Sequence, residues 1–284
     1  MPVYNGAEFL QRALDSLLSQ TEGNFELLIS DNASTDGTEA ICREYLKRDQ
    51  RVRYVRHDRN RGAYFNWNFV ARAATGTYFK WASGNDYCAP IMLARCVEFL
   101  ESDPGTVLCH GRTCIVDDTN TEQGLYNDDI ELMDSLPRDR FRRVCRELSL
   151  NNAQCGVIRV SALRRTRYDR PYPAGDRVLM AELALRGKFR LLPEVMLYRR
   201  VSPKSATSHL SSADMLRFLD PNAKIDARTW IQHADYFGAI ARADIPLAEK
   251  LACARAAARH AYWAKSALRR ELFGMFRGLK PQAR

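Results

Sequence analysis

Along residues 1–116 the apolar positions switch repeatedly between the spacing of a helix and that of a strand. Met1 to Gly6 reads as the end of a strand running into a turn. Phe9, Leu10, Ala13, Leu14, Leu17 and Leu18 then recur at helical spacing and predict an amphipathic helix over 7–19. Residues 25–30 form a short apolar strand that breaks into the polar run Asp31-Asn32-Ala33-Ser34-Thr35-Asp36-Gly37-Thr38. A helix over 38–48, a strand over 52–56, the loop Asn60-Arg61-Gly62, a helix over 64–74 and a strand over 77–82 follow. Ser83-Gly84-Asn85-Asp86 interrupts the pattern, and Pro90 opens a helix over 90–102. Strands alternating with helices predict βαβ units and a mostly parallel sheet. Right-handed crossovers bring the polar loops after Val3, Ser30, Arg56 and Ala82 to one edge of that sheet.

The second half is less regular. Residues 107–110 and 113–116 read as two short strands, 117–136 as an acidic loop, 141–150 as a helix and 156–160 as a strand. Asp176 opens a helix carrying Val178, Leu179, Ala181, Leu183 and Leu185, and Gly187 stops it. A strand over 189–198 comes next. Residues 202–222 are polar, punctuated by Pro203 and Pro221, and predict a boundary. Beyond them the chain is Ala-rich and helical, with one long basic helix over 246–271. The expected division is one domain over 1–205 and a helical basic extension over 206–284.

Composition narrows the class. Apolar residues make up 46% and charged residues 27% of the 284, as in ordinary soluble proteins. No apolar run is long enough for a membrane span, and no basic segment followed by an apolar one marks a signal peptide. The eight cysteines are scattered without a Cys-x-x-Cys pair, which predicts reduced core thiols in a cytoplasmic protein. Of the net charge of +9, +8 lies within residues 250–284, so the main body is near neutral. A basic amphipathic stretch over 246–284 predicts either a solvated face or peripheral contact with an anionic membrane. Nucleic acid is not expected, because no aromatic platform accompanies the charge. Dehydrogenase and kinase chemistry lose their usual signatures, since neither a Gly-x-Gly-x-x-Gly turn nor a P-loop is present.

A carboxylate on a turn between strand and helix, as at Asp86, sits where open α/β sheets place their ligands. It is suited to holding a divalent cation against a diphosphate, although a plain solvated turn fits the local sequence too. The longer pattern decides between them. Pro2-Val3-Tyr4-Asn5, the Asp31–Thr38 turn, Asn60-x-Gly62, Gly76-x-Tyr78, the acidic turn at 83–86, Asp176 and Leu197-Tyr198-Arg199 follow one another in order. Together they resemble the family-2 glycosyltransferases over about residues 1–205.

The resemblance implies a GT-A fold: an α/β, Rossmann-like mixed and mostly parallel sheet flanked by helices, with a helical C-terminal extension. It divides 1–205 into a nucleotide-binding half, about 1–116, and an acceptor half, about 117–205. It implies inverting transfer of a sugar from a nucleoside-diphosphate sugar to a saccharide or lipid-linked acceptor in glycan biosynthesis. Pro2, Tyr4 and Asp31 match positions that hold base and ribose, with Asn5 in the same turn. An aromatic face stacks on a base, and a carboxylate accepts from its N–H. Asn60 and Gly62 mark a loop near the nucleotide, while Ser34 and Asp36 are expected to shape their own turn.

The family's metal motif, usually Asp-x-Asp, aligns with Ser83-Gly84-Asn85-Asp86 and keeps only its last carboxylate. Asp86 is thereby implied to hold Mg²⁺ or Mn²⁺ weakly in the absence of nucleotide, with Asn85 offering a carbonyl oxygen or a ribose contact. Asp176 matches the catalytic base, and as a residue it also reads as an N-cap of its helix. Arg199 and Arg200 match a basic cluster suited to gripping the diphosphate, with Arg199 the candidate site residue, but the histidine expected after it is replaced by Val201 and Ser202. Trp67 stands where many relatives carry an arginine. The apolar strand that precedes Pro-x-Tyr-Asn in the family is missing, so a first strand cut short is expected. The thinned metal motif and that strand motivate a rival expectation, a non-catalytic scaffold that binds a nucleotide or a protein. A nucleotidyltransferase of related fold fits the pattern less well.

Overall fold

A computed structural model of the chain describes residues 1–202, 211–221 and 228–278. The first half follows the predicted alternation. Strand β1 (Pro2–Val3) leads to α1 (Ala7–Leu18), β2 (Leu27–Asp31), α2 (Thr38–Arg48), β3 (Val52–Arg56) and α3 (Ala63–Ala73). Strands β1, β2 and β3 pair in parallel in that order. Helix α1 buries Leu10, Ala13, Leu14 and Leu17, each of its larger side chains contributing about 1.5–3 kcal/mol of transfer free energy. β1 is two residues long, and the Met1 amino group donates to Leu28 O at 2.7 Å.

A second sheet begins with β4 (Tyr78–Lys80) and β5 (Tyr87–Cys88), separated by the 83–86 turn. Then come α4 (Met92–Ser102), β6 (Thr106–Val116), β7 (Glu122–Leu125), α5 (Pro137–Glu147), β8 (Val157–Arg159), α6 (Val160–Leu163), α7 (Gly175–Arg186) and β9 (Lys188–Arg200). Its order is β4-β8-β6-β9-β5, with β7 hairpinned onto β6. Only β6 and β9 are parallel neighbours here; the other pairings are antiparallel. A cavity of 510 Å³ lies between the two sheets, lined by Leu27 and Leu28 of β2 on one side and Tyr78 to Lys80 on the other.

Several local expectations change. The two short strands over 107–116 are one strand bent at Gly111, where the register with β9 shifts. A Cβ at Gly111 would lie 2.4 Å from Met196 Cγ, so β9 packs directly onto the glycine backbone. The acidic loop after it contains the β7 hairpin. A one-turn 3₁₀ helix at Asn152–Cys155 and the short α6 replace coil. The long basic helix is two, α10 (Leu247–Trp263) and α11 (Lys265–Gly278), divided at Ala264, whose N–H still bonds His260 O.

The chain after β9 adds α8 (Ser212–Leu219) and α9 (Arg228–Arg242). The expected boundary at 205/206 lies outside the described residues. Tyr236, Ala239 and Ile240 of α9 and Cys253 and Ala257 of α10 share one buried cluster with Phe141, Val144 and the α7 side chains. Two centres of packing result. One unites α1, β1–β3 and α4 with β6 and β9, and the other unites α3, α5, α7, α9 and α10. All eight cysteines are free thiols, seven of them buried.

Candidate active site

The four polar loops predicted to meet do meet, in a cleft of 380 Å³ at the C-terminal ends of β1–β4. Pro2 and Tyr4 line it after β1, Asn32 after β2, Asn60 after β3, and Ser83 to Asp86 after β4. Asp176 and Arg199 line it from the second half of the chain. Residues distant in sequence therefore converge because α7 begins and β9 ends at this edge.

The acidic turn is held from below. The Arg200 backbone N–H donates to Asp86 Oδ1 at 2.9 Å, and Arg200 Nε donates to Asn85 O at 3.2 Å. The Arg200 side chain also bonds Asp117 O and Asn120 Oδ1, and its guanidinium lies 4.1 Å from the Phe9 ring centre. Asp86 is drawn two ways. Burial raises its pKa, while the Arg200 N–H and the charges of Arg199 and Lys80 lower it, and burial prevails. Arg199 reaches Asn152 Oδ1 with one nitrogen, at 2.5 Å.

Asp176 lies in the first turn of α7 but is not its cap, a correction to the capping expectation. The N-cap position is Ala174, at φ 67°, and no side chain caps there. Gly175 next to it is required by space, since a Cβ would sit 2.1 Å from Arg170 O. Freed from capping, the Asp176 carboxylate points into the cleft and accepts from Asn151 Nδ2 at 2.9 Å. The same amide reaches Gln154 Oε1 at 3.2 Å, and Gln154 Nε2 donates to both oxygens of Asp169 at 2.9 Å. Asp169 is buried. Desolvation, and then the nearby Asp176 charge, push its pKa up to about 8, against the Gln154 hydrogen bond.

Three predicted site residues are engaged in building the opposite wall. Asp31 is fully buried: Oδ1 accepts from the Ser34 N–H at 2.8 Å, Oδ2 accepts from Tyr54 Oη at 2.7 Å, and Arg56 lies at 3.6 Å. It lies outside the cleft lining. Asn5, at φ 48°, also stays outside the lining, its side chain accepting from the Thr35 N–H at 2.8 Å. Asn60 accepts from Asn32 Nδ2 and from the Gly62 N–H, both at 2.8 Å. Gly62 itself stands at φ 88°, and a Cβ there would meet Leu219 O at 2.5 Å, so only glycine admits α8 over this loop. Ser34 and Asp36 hold the turn, accepting from the backbone N–H groups of Asn5 and Ala7.

Sequence reasoning missed Asn151, Gln154, Asp169 and Phe218. The first three carried no motif, and Phe218 reaches the cleft from α8, inside the stretch read as a boundary. Trp67 lines the cleft where an arginine was expected, and Asn68 instead pairs with the Asp169 backbone at 3.0 and 3.1 Å.

The architecture matches solved glycosyltransferases. S. aureus TarS 1-349, in its complex with UDP, superposes with a TM-score of 0.62 at 17% identity, over 88% of this chain and 66% of that one. The mannosyltransferase PcManGT from Pyrobaculum calidifontis, in complex with GDP-Man and Mn²⁺, gives 0.55 at 18%, over 94% and 74%. The fold is thus the GT-A fold of glycosyltransferases. The family model for glycosyl transferase family 2 matches residues 1–167, and the chain belongs to that family. An uncharacterized protein of Mycobacterium tuberculosis is 31% identical over 205 residues, 69% of this chain and 56% of that protein. The putative teichuronic acid biosynthesis glycosyltransferase TuaG of Bacillus subtilis is 31% identical over 99 residues, 35% of this chain and 39% of its own length. The chain therefore spans about half the length, or less, of the curated relatives it matches.

Proposed function

We propose that this chain transfers a sugar from a nucleoside-diphosphate sugar to a hydroxyl of a saccharide or lipid-linked acceptor, in glycan biosynthesis, by single displacement with inversion. The observation that carries this reading is the placement of Asp86, Arg199 and Asp176 on one cleft whose other wall is Pro2, Tyr4 and Asn60. Tyr4, 40% exposed, offers a ring face to a base. Arg199 faces the space where a diphosphate accumulates charge as it departs. Asp176 accepts the proton of the attacking hydroxyl as the new C–O bond forms and the bond to the diphosphate breaks. Asn151 fixes one carboxylate oxygen and leaves the other to the acceptor. A UDP- or GDP-sugar is the favoured donor class, because TarS is described with UDP and UDP-GlcNAc and PcManGT with GDP-Man.

A divalent ion fits this chain in a restricted way. Among the described residues no group of three or more His, Cys, Asp or Glu side chains is arranged to hold one. Asp86 Oδ1 accepts from the Arg200 N–H, and Asn85 stands exposed beside it. These two residues would hold Mg²⁺ or Mn²⁺, with the remaining ligands coming from the diphosphate and water. Bound there, the ion supplies charge neutralisation for the leaving diphosphate.

The test is release of nucleoside diphosphate from a panel of UDP-, GDP- and dTDP-sugars with Mn²⁺ or Mg²⁺, and the anomeric configuration of the product by NMR. Turnover that survives both Asp86→Ala and Asp176→Ala removes this site assignment. The single carboxylate at 83–86 favours one alternative, a nucleotide-binding scaffold without turnover. Saturable nucleotide binding with no product from any acceptor supports it. Among the described residues no helix is long and apolar enough to cross a membrane. We place the protein in the cytoplasm, with its C-terminal helices as a peripheral membrane contact.

A further inference from the structure

Away from the cleft, α5 and α10 pack side by side and enclose a cavity of 140 Å³. Arg142 and Arg146 line it from α5, Arg255 and Arg259 from α10, and His260 and Trp263 lie at the same cavity. No carboxylate lines it. Each arginine pair stands four residues apart on its own helix, an arrangement that repels rather than stabilises. Arg142 pairs with Asp139 at 2.9 Å. Arg146, Arg255 and Arg259 have no ion pair among the described residues. Ala252 and Ala256 also line the cavity, and their small side chains leave its floor open. Of the four guanidiniums around one concavity, three are thus left with uncompensated charge and unfilled donors, which a phosphate oxygen cluster satisfies.

A second, independent feature adjoins the first. Leu247, Leu251 and Tyr262 fall on one stripe of α10 and are 72%, 54% and 64% exposed. The stripe borders Arg255 and Arg259, and Trp263, 57% exposed, lies beyond them at the cavity. A free anion has no use for an exposed apolar row, whereas the headgroup layer of a membrane receives both, basic groups at the phosphates and Trp, Tyr and Leu just beneath.

We propose that the α5–α10 groove binds the phosphate of an anionic membrane lipid while the Leu247–Leu251–Tyr262 row enters the headgroup layer. This gives the peripheral contact of the proposed function a defined headgroup site, and it rests on that part of the reading alone. Vesicle co-sedimentation tests it, with phosphatidylcholine vesicles that contain or lack phosphatidylglycerol. Binding is expected only where phosphatidylglycerol is present. Arg255→Glu with Arg259→Glu lowers the partition coefficient about tenfold or more, in line with the attraction of each basic group to an anionic surface. Leu251→Ser with Tyr262→Ser lowers it several-fold. Both pairs are exposed, and far-UV circular dichroism and the melting temperature serve as controls for folding. The Asp176→Ala protein binds vesicles as the unchanged chain does, so failure of the catalytic reading leaves this measurement intact. Equal binding to both vesicle types, or full binding by the arginine variant, overturns the proposal. Arginine-dependent binding of inorganic phosphate by titration calorimetry, with no binding to either vesicle, also overturns it and leaves a free-anion site.

Discussion

The two walls of the cleft are built from similar polar residues and use them in opposite ways. On the wall formed by the Asp31–Thr38 turn and Asn60, the side chains satisfy one another. Asp31 is shared by Ser34, Tyr54 and Arg56, and Asn60 by Asn32 and Gly62. On the wall formed by 83–86, Asp176 and Arg199, fewer anchors leave oxygens and nitrogens facing the cleft. Asp86 is held by the Arg200 N–H and the Ser83 side chain, and Asp176 by one amide. A fully satisfied polar network rigidifies, while a partly satisfied one has capacity for a ligand. The first wall therefore shapes the cleft, and in the proposed function it is the second that reacts.

The sharpest way to break that contrast is at the second wall. Asp176→Asn is expected to lower kcat by about 10²–10⁴-fold, the usual range for a lost general base, with little change in melting temperature. Steady-state kinetics beside a thermal melt decide the matter. Asp86→Ala is expected to lower turnover about 100-fold and to abolish any Mn²⁺ dependence, a loss of transition-state charge stabilisation of about 3 kcal/mol. Calorimetric titration of Mn²⁺ with and without UDP should show binding chiefly with the nucleotide present.

The first wall should answer in stability. Asp31→Ala removes a buried carboxylate with two hydrogen bonds and an ion pair, and should cost about 2–4 kcal/mol in urea unfolding. If instead the fold is unaffected and nucleotide binding vanishes, the roles of the walls are reversed. A smaller effect is expected from pH. Asp169 has its folded pKa raised to about 8 from a usual carboxylate value near 4. The folded state thus holds a proton that the unfolded state releases. Its contribution is fully present below about pH 4 and is lost as pH rises towards 8. Asp169→Asn should flatten the stability profile across that window. The smallest expected change is Asn151→Ala, about tenfold in kcat by steady-state kinetics.

Much of the fold was legible because it is local. The apolar spacing of Phe9 to Leu18 makes α1 wherever it is placed, and the polar breaks after Val3, Ser30, Arg56 and Ala82 end strands without tertiary help. Motif order likewise marked Asp86, Asp176 and Arg199, all of which line the cleft. Conformation-bound glycine was legible as well, since Gly62 lies in a predicted loop.

What sequence alone could not give was who holds whom. Asn151, Gln154 and Asp169 form a chain to Asp176 only because the 3₁₀ turn, the loop before α7 and α7 itself are folded together. Arg200 and Arg199 are neighbours with the same charge, yet strand alternation sends one beneath the acidic turn and the other into the cleft. Period and turn chemistry are written in adjacent residues, so the sequence by itself determined the α/β order and the carboxylates at the cleft. Burial and hydrogen-bond partnership depend on residues dozens of positions apart. Only the tertiary structure decided that Asp31 is enclosed, that Asp176 is freed from capping to face the cleft, and that two arginine pairs meet across one groove.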